Sequence, residues 1–171
     1  MPQNSFTLYK LIILYMLDSV SFPLTNSQIS DFILEKGYTD FLTLQQVFSD
    51  LLSSNMITAE TSRNRTFYQM TAEGEESLRF FHNKINPLIK DDIREYLDLH
   101  EIEYRNEVSV RSDYRLLAQG EYQVSLSAKD REEDLVTITL NVPTEQIASS
   151  ICNNWQSKSE SIYQYLTEQL F

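Results

Sequence analysis

The sequence predicts an α+β protein with an N-terminal winged helix-turn-helix, a long connecting helix, and a C-terminal three-stranded antiparallel meander covered by helix. Three observations support this prediction. Two helix-start signatures lie eighteen residues apart near the N-terminus, two short strand-like runs follow them, and the hydrophobic period changes from 3.6 to 2 after Glu107. The predicted divisions are residues 1–83, a connecting helix over 84–105, and a sheet with a C-terminal helix over 106–171.

The first helix is predicted over residues 6–19, where almost every position from Leu8 to Leu17 is apolar. A helix that is apolar all round is buried on more than one side. We therefore expect it either at the centre of its domain or with one face against another chain.

The second helix is predicted to begin after Thr25, whose hydroxyl can cap it. Gln28 is placed to bond back to the cap residue, and Leu24 and Ile29 occupy the positions of a hydrophobic staple. The apolar pattern continues to Lys36, where Gly37 supplies the left-handed conformation that ends many helices.

The third helix repeats this arrangement, with Thr43 as cap, Gln46 as its partner, and Leu42 and Val47 as the staple. Its apolar positions follow helical spacing as far as about Ser54. The opposite face is polar and nearly uncharged, and consists of Gln45, Gln46, Ser49, Asp50 and Ser53.

A hairpin and a further helix follow these three helices. Residues 56–61 and 66–70 are predicted as strands joined through 62–65, which completes the element order of a winged helix. Thr71 is a cap residue with an acidic first turn behind it. Asn86-Pro87 interrupts the apolar stripe of this region, as either a kink or a new cap with proline at the first helical position.

The C-terminal region alternates apolar and polar residues, which predicts three antiparallel strands with one solvated face. Val124, Leu126, Ile138 and Leu140 should be buried, since alternate residues of a strand share one face. A helical region after Pro143 should place Trp155 against the buried face, with a break in the polar stretch 153–161.

Composition excludes several classes of protein. The chain has 171 residues, 42% of them hydrophobic, and contains only three glycines and four prolines, so it is neither disordered nor fibrous. No apolar run approaches the roughly 20 residues of a membrane span. With Cys152 as the single cysteine, a disulfide within the chain is impossible. We expect a cytoplasmic protein.

The sequence offers little for catalysis. Gly37, Gly74 and Gly120 are too few and too scattered for a glycine-rich phosphate loop. His82 and His100 stand apart from each other and from Cys152, so the usual ligands of a zinc site are missing. We therefore expect no enzyme activity, no cofactor and no bound metal.

Nucleic-acid contact is the chemistry that the sequence favours. Gln45, Gln46, Ser49 and Ser53 lie on the helix that enters the major groove in helix-turn-helix proteins, and glutamine can bond an adenine edge. At the hairpin tip, Arg63, Asn64 and Arg65 could contact the DNA backbone or minor groove. The alternatives are an ordinary solvated helix face and a soluble turn.

Charge opposes this interpretation in part. The net charge is −11, whereas phosphate contact usually calls for a basic surface. Residues 1–71 contain four basic and six acidic residues and carry −2, so most of the negative charge lies further along the chain.

The residues from Thr7 to Leu17, followed by Phe22-Pro23-Leu24-Thr25-Asn26-Ser27-Gln28-Ile29, resemble an uncharacterised domain-of-unknown-function family of Gram-positive bacterial proteins. The N-terminal winged helix of that family is similar to the one in PadR-type transcriptional regulators. The resemblance implies a winged-helix fold and a regulatory role, and it carries no established catalytic or ligand-binding residues.

The sequence thus predicts a DNA-binding transcriptional regulator that binds double-stranded DNA as a homodimer, with the C-terminal domain dimerising or sensing. Apolar surface on the first helix and along Leu78, Phe81, Ile85 and Leu88 supports a dimer. The alternative is a winged-helix protein-interaction module that does not bind DNA and meets a basic partner through its acidic surface.

Overall fold

The computed structural model describes residues 2–131 and 133–171, in two compact units that meet in sequence after Tyr104. It confirms an α+β protein with a three-stranded antiparallel sheet near the C-terminus. The first unit contains α1 (Pro2–Asp18), β1 (Leu24–Thr25), α2 (Asn26–Glu35), α3 (Phe41–Ser53), β2 (Ile57–Ser62), β3 (Arg65–Met70), α4 (Ala72–Phe81), a short 3₁₀ turn (His82–Lys84) and most of α5 (Pro87–Ser109). The second contains β4 (Val110–Leu116), β5 (Tyr122–Asp130), β6 (Glu133–Val142) and α6 (Glu145–Leu170).

Helix α1 lies at the centre of the first unit. Every residue from Leu11 to Leu17 is buried, and the core around them takes in side chains of α2, α3, α4 and α5. Burial within its own unit is therefore sufficient to explain why this helix is apolar all round.

The start and end of α2 are as the sequence predicts. The Thr25 hydroxyl accepts a hydrogen bond from the Gln28 N–H at 3.1 Å, and the Gln28 side chain accepts one from the Thr25 N–H at 2.8 Å. At the other end Gly37 has a φ of 69°, and the Tyr38 N–H donates to the Ile33 carbonyl at 3.1 Å. This six-to-one bond is the Schellman motif, which satisfies carbonyls left open at a helix end.

The start of α3 differs from the prediction. The cap is Asp40, whose carboxylate accepts hydrogen bonds from both the N–H and the hydroxyl of Thr43, each at 2.9 Å. Thr43 is thus inside the first turn and is not the cap. Leu42 is 79% exposed, so the expected staple with Val47 is also wrong. Asp and Thr both cap helices well, and the residue three positions before the expected one does so here.

The strands of the first unit form a small antiparallel sheet in the order β1-β3-β2. Ser62 pairs with Arg65, which leaves Arg63 and Asn64 as a two-residue turn. Both turn residues have positive φ, 47° and 65°. Two such residues in succession define a type I′ turn, whose twist matches that of the strands it joins.

After the hairpin, Thr71 caps α4 as predicted, since its hydroxyl accepts a hydrogen bond from the Gly74 N–H at 3.1 Å. At Asn86-Pro87 a new helix begins rather than a kink. The Asn86 side chain accepts from the Leu88 N–H at 2.9 Å, and α5 then continues through Ser109. Residues 106–109, which the sequence assigns to the region of the sheet, are therefore helical.

In the second unit the strands lie in the order β4-β5-β6. Val124 and Leu126 are buried as predicted, but Ile138 is only half-buried and Leu140 is 41% exposed. The expected burial of Leu140 is wrong because α6 packs mainly over β4 and β5 and covers β6 less.

Helix α6 is continuous over Glu145–Leu170, so the break expected within 153–161 does not occur. Trp155 is 1% exposed among the side chains of the sheet, as predicted, and its Nε1–H donates to the Ser127 carbonyl at 3.0 Å. Polar residues of the middle of α6 such as Asn153 and Lys158 are exposed, which lets one helix carry both a buried and a polar face.

Candidate nucleic-acid interface

The exposed face of α3 carries three of the four residues expected to face bases. Gln46, Ser49 and Ser53 are exposed. The Gln46 side-chain amide donates to the Asp50 carboxylate at 3.0 Å, and the Ser53 hydroxyl donates to the Asp50 carbonyl at 3.1 Å. These bonds organise the face, and a ligand that takes up the Gln46 amide has to replace one hydrogen bond.

Gln45 differs from the other three because it is half-buried. Its Nε2 atom is buried and lacks a hydrogen-bond partner among the described residues. A buried amide without a partner costs about 1–3 kcal/mol. Helical spacing places Gln45 at the border of the polar face, and the packing of the unit draws it inward.

The carboxylates of α3 set the electrostatics of this face. Hydrogen bonds from the backbone and hydroxyl of Thr43 lower the pKa of Asp40, and the hydrogen bond from Gln46 together with Lys10 lowers the pKa of Asp50. Both groups are therefore ionised at neutral pH. Lys10 of α1 forms an ion pair with Asp50 at 3.3 Å, which offsets one of the two charges.

The hairpin tip brings together the other three predicted residues. Arg63 and Asn64 occupy the two central turn positions, and Arg65 begins β3. A left-handed conformation costs a residue such as arginine about 1–2 kcal/mol relative to glycine, whereas asparagine tolerates it more readily. The turn therefore places a guanidinium at its tip in spite of the backbone preference.

Buried aromatic contacts fix the hairpin relative to α3. The rings of Phe48 and Tyr68 stack with their centroids 4.8 Å apart, and the Asn26 amide of α2 donates to the Tyr68 hydroxyl at 3.2 Å. The buried Tyr68 thus joins β3 to both helices, and the two groups of candidate residues belong to one packed unit.

Two exposed apolar side chains at the start of α3 were not predicted from the sequence. Phe41 is 56% exposed and Leu42 79% exposed. The signal that could have revealed them is Asp40, a second cap candidate three residues before Thr43. A helix that starts there turns Leu42 into a first-turn surface residue.

A comparison with protein-family models finds one match, to the family described as "Domain of unknown function (DUF4364)", over residues 9–170. The chain belongs to this family. Nothing among curated proteins matches it, and no solved structure matches it either. The DUF4364 match covers nearly the whole length of the chain.

Three further observations concern the side chains and helices of this DUF4364 chain. Within residues 2–131 and 133–171, no group of three His, Cys, Asp or Glu side chains is arranged to hold a metal ion. Across the same residues, no helix combines the length and the apolar character required to cross a membrane. Cys152 is buried against the sheet of the second unit.

Proposed function

We propose that the chain is a DNA-binding transcriptional regulator of winged-helix type. The observation that carries the proposal is the α2–α3 pair followed at once by a hairpin that presents Arg63 and Arg65 at its tip. The sheet order β1-β3-β2 supports it further, because a short strand before α2 then anchors the hairpin. The hairpin of β2 and β3 is the proposed wing.

The proposed roles follow the chemistry of each side chain. Gln46, with Ser49 and Ser53, faces base edges from α3, where a glutamine amide can bond adenine at two atoms. Gln45 belongs to the same group, although its half-buried position allows it less reach. Arg63, Asn64 and Arg65 contact the DNA backbone from the wing, with the guanidinium groups neutralising phosphates.

The acidic balance limits the affinity expected of such a regulator. With −2 over residues 1–71 and −11 over the chain, non-specific affinity is weak at physiological salt, because few counterions are released. Binding should therefore depend on base contacts and on the two wing arginines. The resemblance of residues 7–29 to a Gram-positive family with a PadR-like winged helix agrees with this proposal.

The regulator is proposed to act as a homodimer. On α5, Leu88, Leu99 and Ile102 are each more than two-thirds exposed and lie on one side of the helix, where Asp92 and Glu95 separate Leu88 from the other two. Exposed apolar side chains such as these favour an interface with a second copy, whereas Leu78 and Ile85, which the sequence also assigned to the dimer surface, are buried in the core of the first unit. Two-fold pairing would also place two copies of α3 on successive half-sites of double-stranded DNA.

The experiment that tests the proposed function is selection of bound fragments from the parent genome with the purified full chain. A shared sequence among the recovered fragments is expected. Gln46→Ala should then relax the preference at one base position and cost about 1–3 kcal/mol, as for a good bidentate contact. Recovery of no fragment above background at low salt would overturn the proposal.

A protein-interaction module is the second candidate, and the exposed pair Phe41 and Leu42 favours it. Apolar side chains beside the ionised Asp40 form a surface suited to a partner with apolar and basic groups. The two candidates separate with the double variant Phe41→Ser, Leu42→Ser. If the chain is an interaction module, this change abolishes partner binding while Arg63→Ala with Arg65→Ala leaves it intact.

A further inference from the structure

The positive charge of the first unit is unevenly distributed. Residues 1–104 contain eight Lys and Arg against fifteen Asp and Glu, yet four of the eight basic residues fall within the sixteen residues 79–94. They are Arg79, Lys84, Lys90 and Arg94. This basic segment lies outside the proposed DNA contacts, so the regulator proposal leaves it unexplained.

Three of these cations line one cavity of about 380 Å³ between α1, α4 and α5. Arg79 and His82 enter its wall from the α4 side, and Lys90 and Arg94 enter it from α5. Sites for small molecules typically fall between about 300 and 1,000 Å³. The cavity can therefore hold a ligand larger than a single phosphate.

The ring of Tyr15 holds the two α5 cations in place. Lys90 Nζ lies 5.6 Å from the ring centroid, and Arg94 Cζ lies 5.8 Å from it. Tyr15 itself is only 9% exposed, so the ring is a fixed support. Contacts of a cation with an aromatic face at these distances are attractive, and they favour positions of both side chains beside the cavity, where the Arg94 side chain is still 61% exposed.

The carboxylates of the cavity wall are engaged only weakly. Glu75 pairs with Arg79 at 3.2 Å across one turn of α4, with both side chains mostly exposed. Exposed pairs of this kind contribute little, because water screens them. Asp18 is the other acidic residue of the wall, and Asp91 pairs with Arg94 at 3.7 Å. A multivalent oxyanion can bond several of these cations at once, with bidentate bonds to a guanidinium, and can therefore displace these single exposed partners.

We propose that this cavity is a binding site for a small multivalent oxyanion, held by Arg79, Lys90 and Arg94. Leu78 and the Tyr15 ring supply an apolar wall for the body of the ligand. Phosphoryl and carboxylate ligands share the required chemistry, and the choice between them is made by experiment. The site does not depend on DNA binding by the wing.

The test is calorimetric titration of the full chain with two probes, inorganic pyrophosphate and citrate, at low ionic strength. Saturable binding of one or both probes, with one site per chain, is expected. Preference for pyrophosphate assigns a phosphoryl ligand, and preference for citrate assigns a carboxylate ligand. Absence of saturable binding of either probe overturns the proposal.

A matched pair of variants distinguishes the site from general charge effects. The cavity pair, Lys90→Gln with Arg94→Gln, removes two cations from the cavity. The wing pair, Arg63→Gln with Arg65→Gln, removes two cations from the wing of the same unit. The cavity pair should weaken binding of the probe at least about tenfold, and the wing pair should leave it within about twofold. Equal loss in both pairs, with circular dichroism unchanged, overturns the proposal. DNA binding is tested with the wing pair and oxyanion binding with the cavity pair. Either proposal can therefore fail while the other is still tested.

Discussion

Gly74 offers a test of the packing between α4 and the hairpin. Helix propensity predicts that its substitution by alanine stabilises the protein, whereas the structure predicts that it destabilises the protein. Gly74 is the third residue of α4, where alanine is the better helix former. A Cβ at this position would overlap the carbonyl oxygen of Met56 and approach Met70 Cγ to 2.8 Å. The Met56 oxygen already accepts a hydrogen bond from the Thr71 N–H at 3.0 Å.

The magnitude follows from three contributions. Gly→Ala within a helix stabilises by about 1 kcal/mol. Overpacking against a backbone atom costs about 1–3 kcal/mol, since the chain rather than a flexible side chain has to move. Displacement of the Met56 oxygen weakens the bond from Thr71, at a further cost of about 1 kcal/mol. Gly74→Ala should therefore destabilise the protein by about 1–3 kcal/mol.

Urea denaturation followed by circular dichroism measures this difference in the free energy of unfolding. Gly37→Ala is the control, because its Cβ would meet nothing within 4 Å and the substitution reports only the strain of a φ of 69°. If Gly74→Ala proves as stable as the wild type or more so, the close approach of α4 to the start of β2 is refuted.

Three further outcomes are expected. Trp155→Ala should lower the free energy of unfolding by about 3–5 kcal/mol, with loss of amide protection in β5 by hydrogen exchange, and unchanged protection there would contradict the packing of α6. Burial, and then the hydrogen bond with Tyr96, raises the pKa of Tyr104 above 10.0, so the stability present below pH 10 should fall as the pH rises beyond it. In Tyr104→Phe the free energy of unfolding should fall less steeply with pH, and equal slopes would contradict this. The hydrogen bonds from Thr43 lower the pKa of Asp40 below 3.8, so the stability that the Asp40 carboxylate contributes is present above that pH and lost as the pH falls below it. Asp40→Asn should remove this acid dependence in a series of thermal melts.

Local signals predicted the fold best where a few neighbouring residues determine the conformation. The cap of α2 depends on Thr25 and Gln28 alone, and its end depends on Gly37, so all three could be identified without tertiary information. The same holds for the alternation in β5, where Val124 and Leu126 are buried in a central strand.

Prediction failed where packing chooses between locally equivalent options. Asp40 and Thr43 are both good caps, and only the position of the helix in its unit decides between them. Leu140 has the right parity for burial, yet α6 lies mainly over the other two strands of its sheet. Parity specifies a face, whereas burial also requires an element that covers it.

The candidate site shows the same division. The hairpin tip at Arg63 and Arg65 was located from sequence within one residue, because turn and strand signals are local. The inward position of Gln45 was not, since it depends on how α3 packs. The oxyanion cavity joins Tyr15 to Arg79 and Lys90, which lie more than sixty residues further along the chain, and only the tertiary fold brings them together.

The salt dependence of DNA affinity tests the central claim most directly. Fluorescence anisotropy with a genomic fragment recovered by the full chain should give an affinity that falls with salt concentration. The double variant Arg63→Ala, Arg65→Ala should reduce the slope of log affinity against log salt by about two units, about 0.9 for each lost phosphate contact. It should weaken binding to all sequences alike while the circular dichroism spectrum stays unchanged. A slope equal to that of the wild type, or no measurable affinity of the wild type for any fragment at low salt, would contradict the proposal that the wing binds DNA.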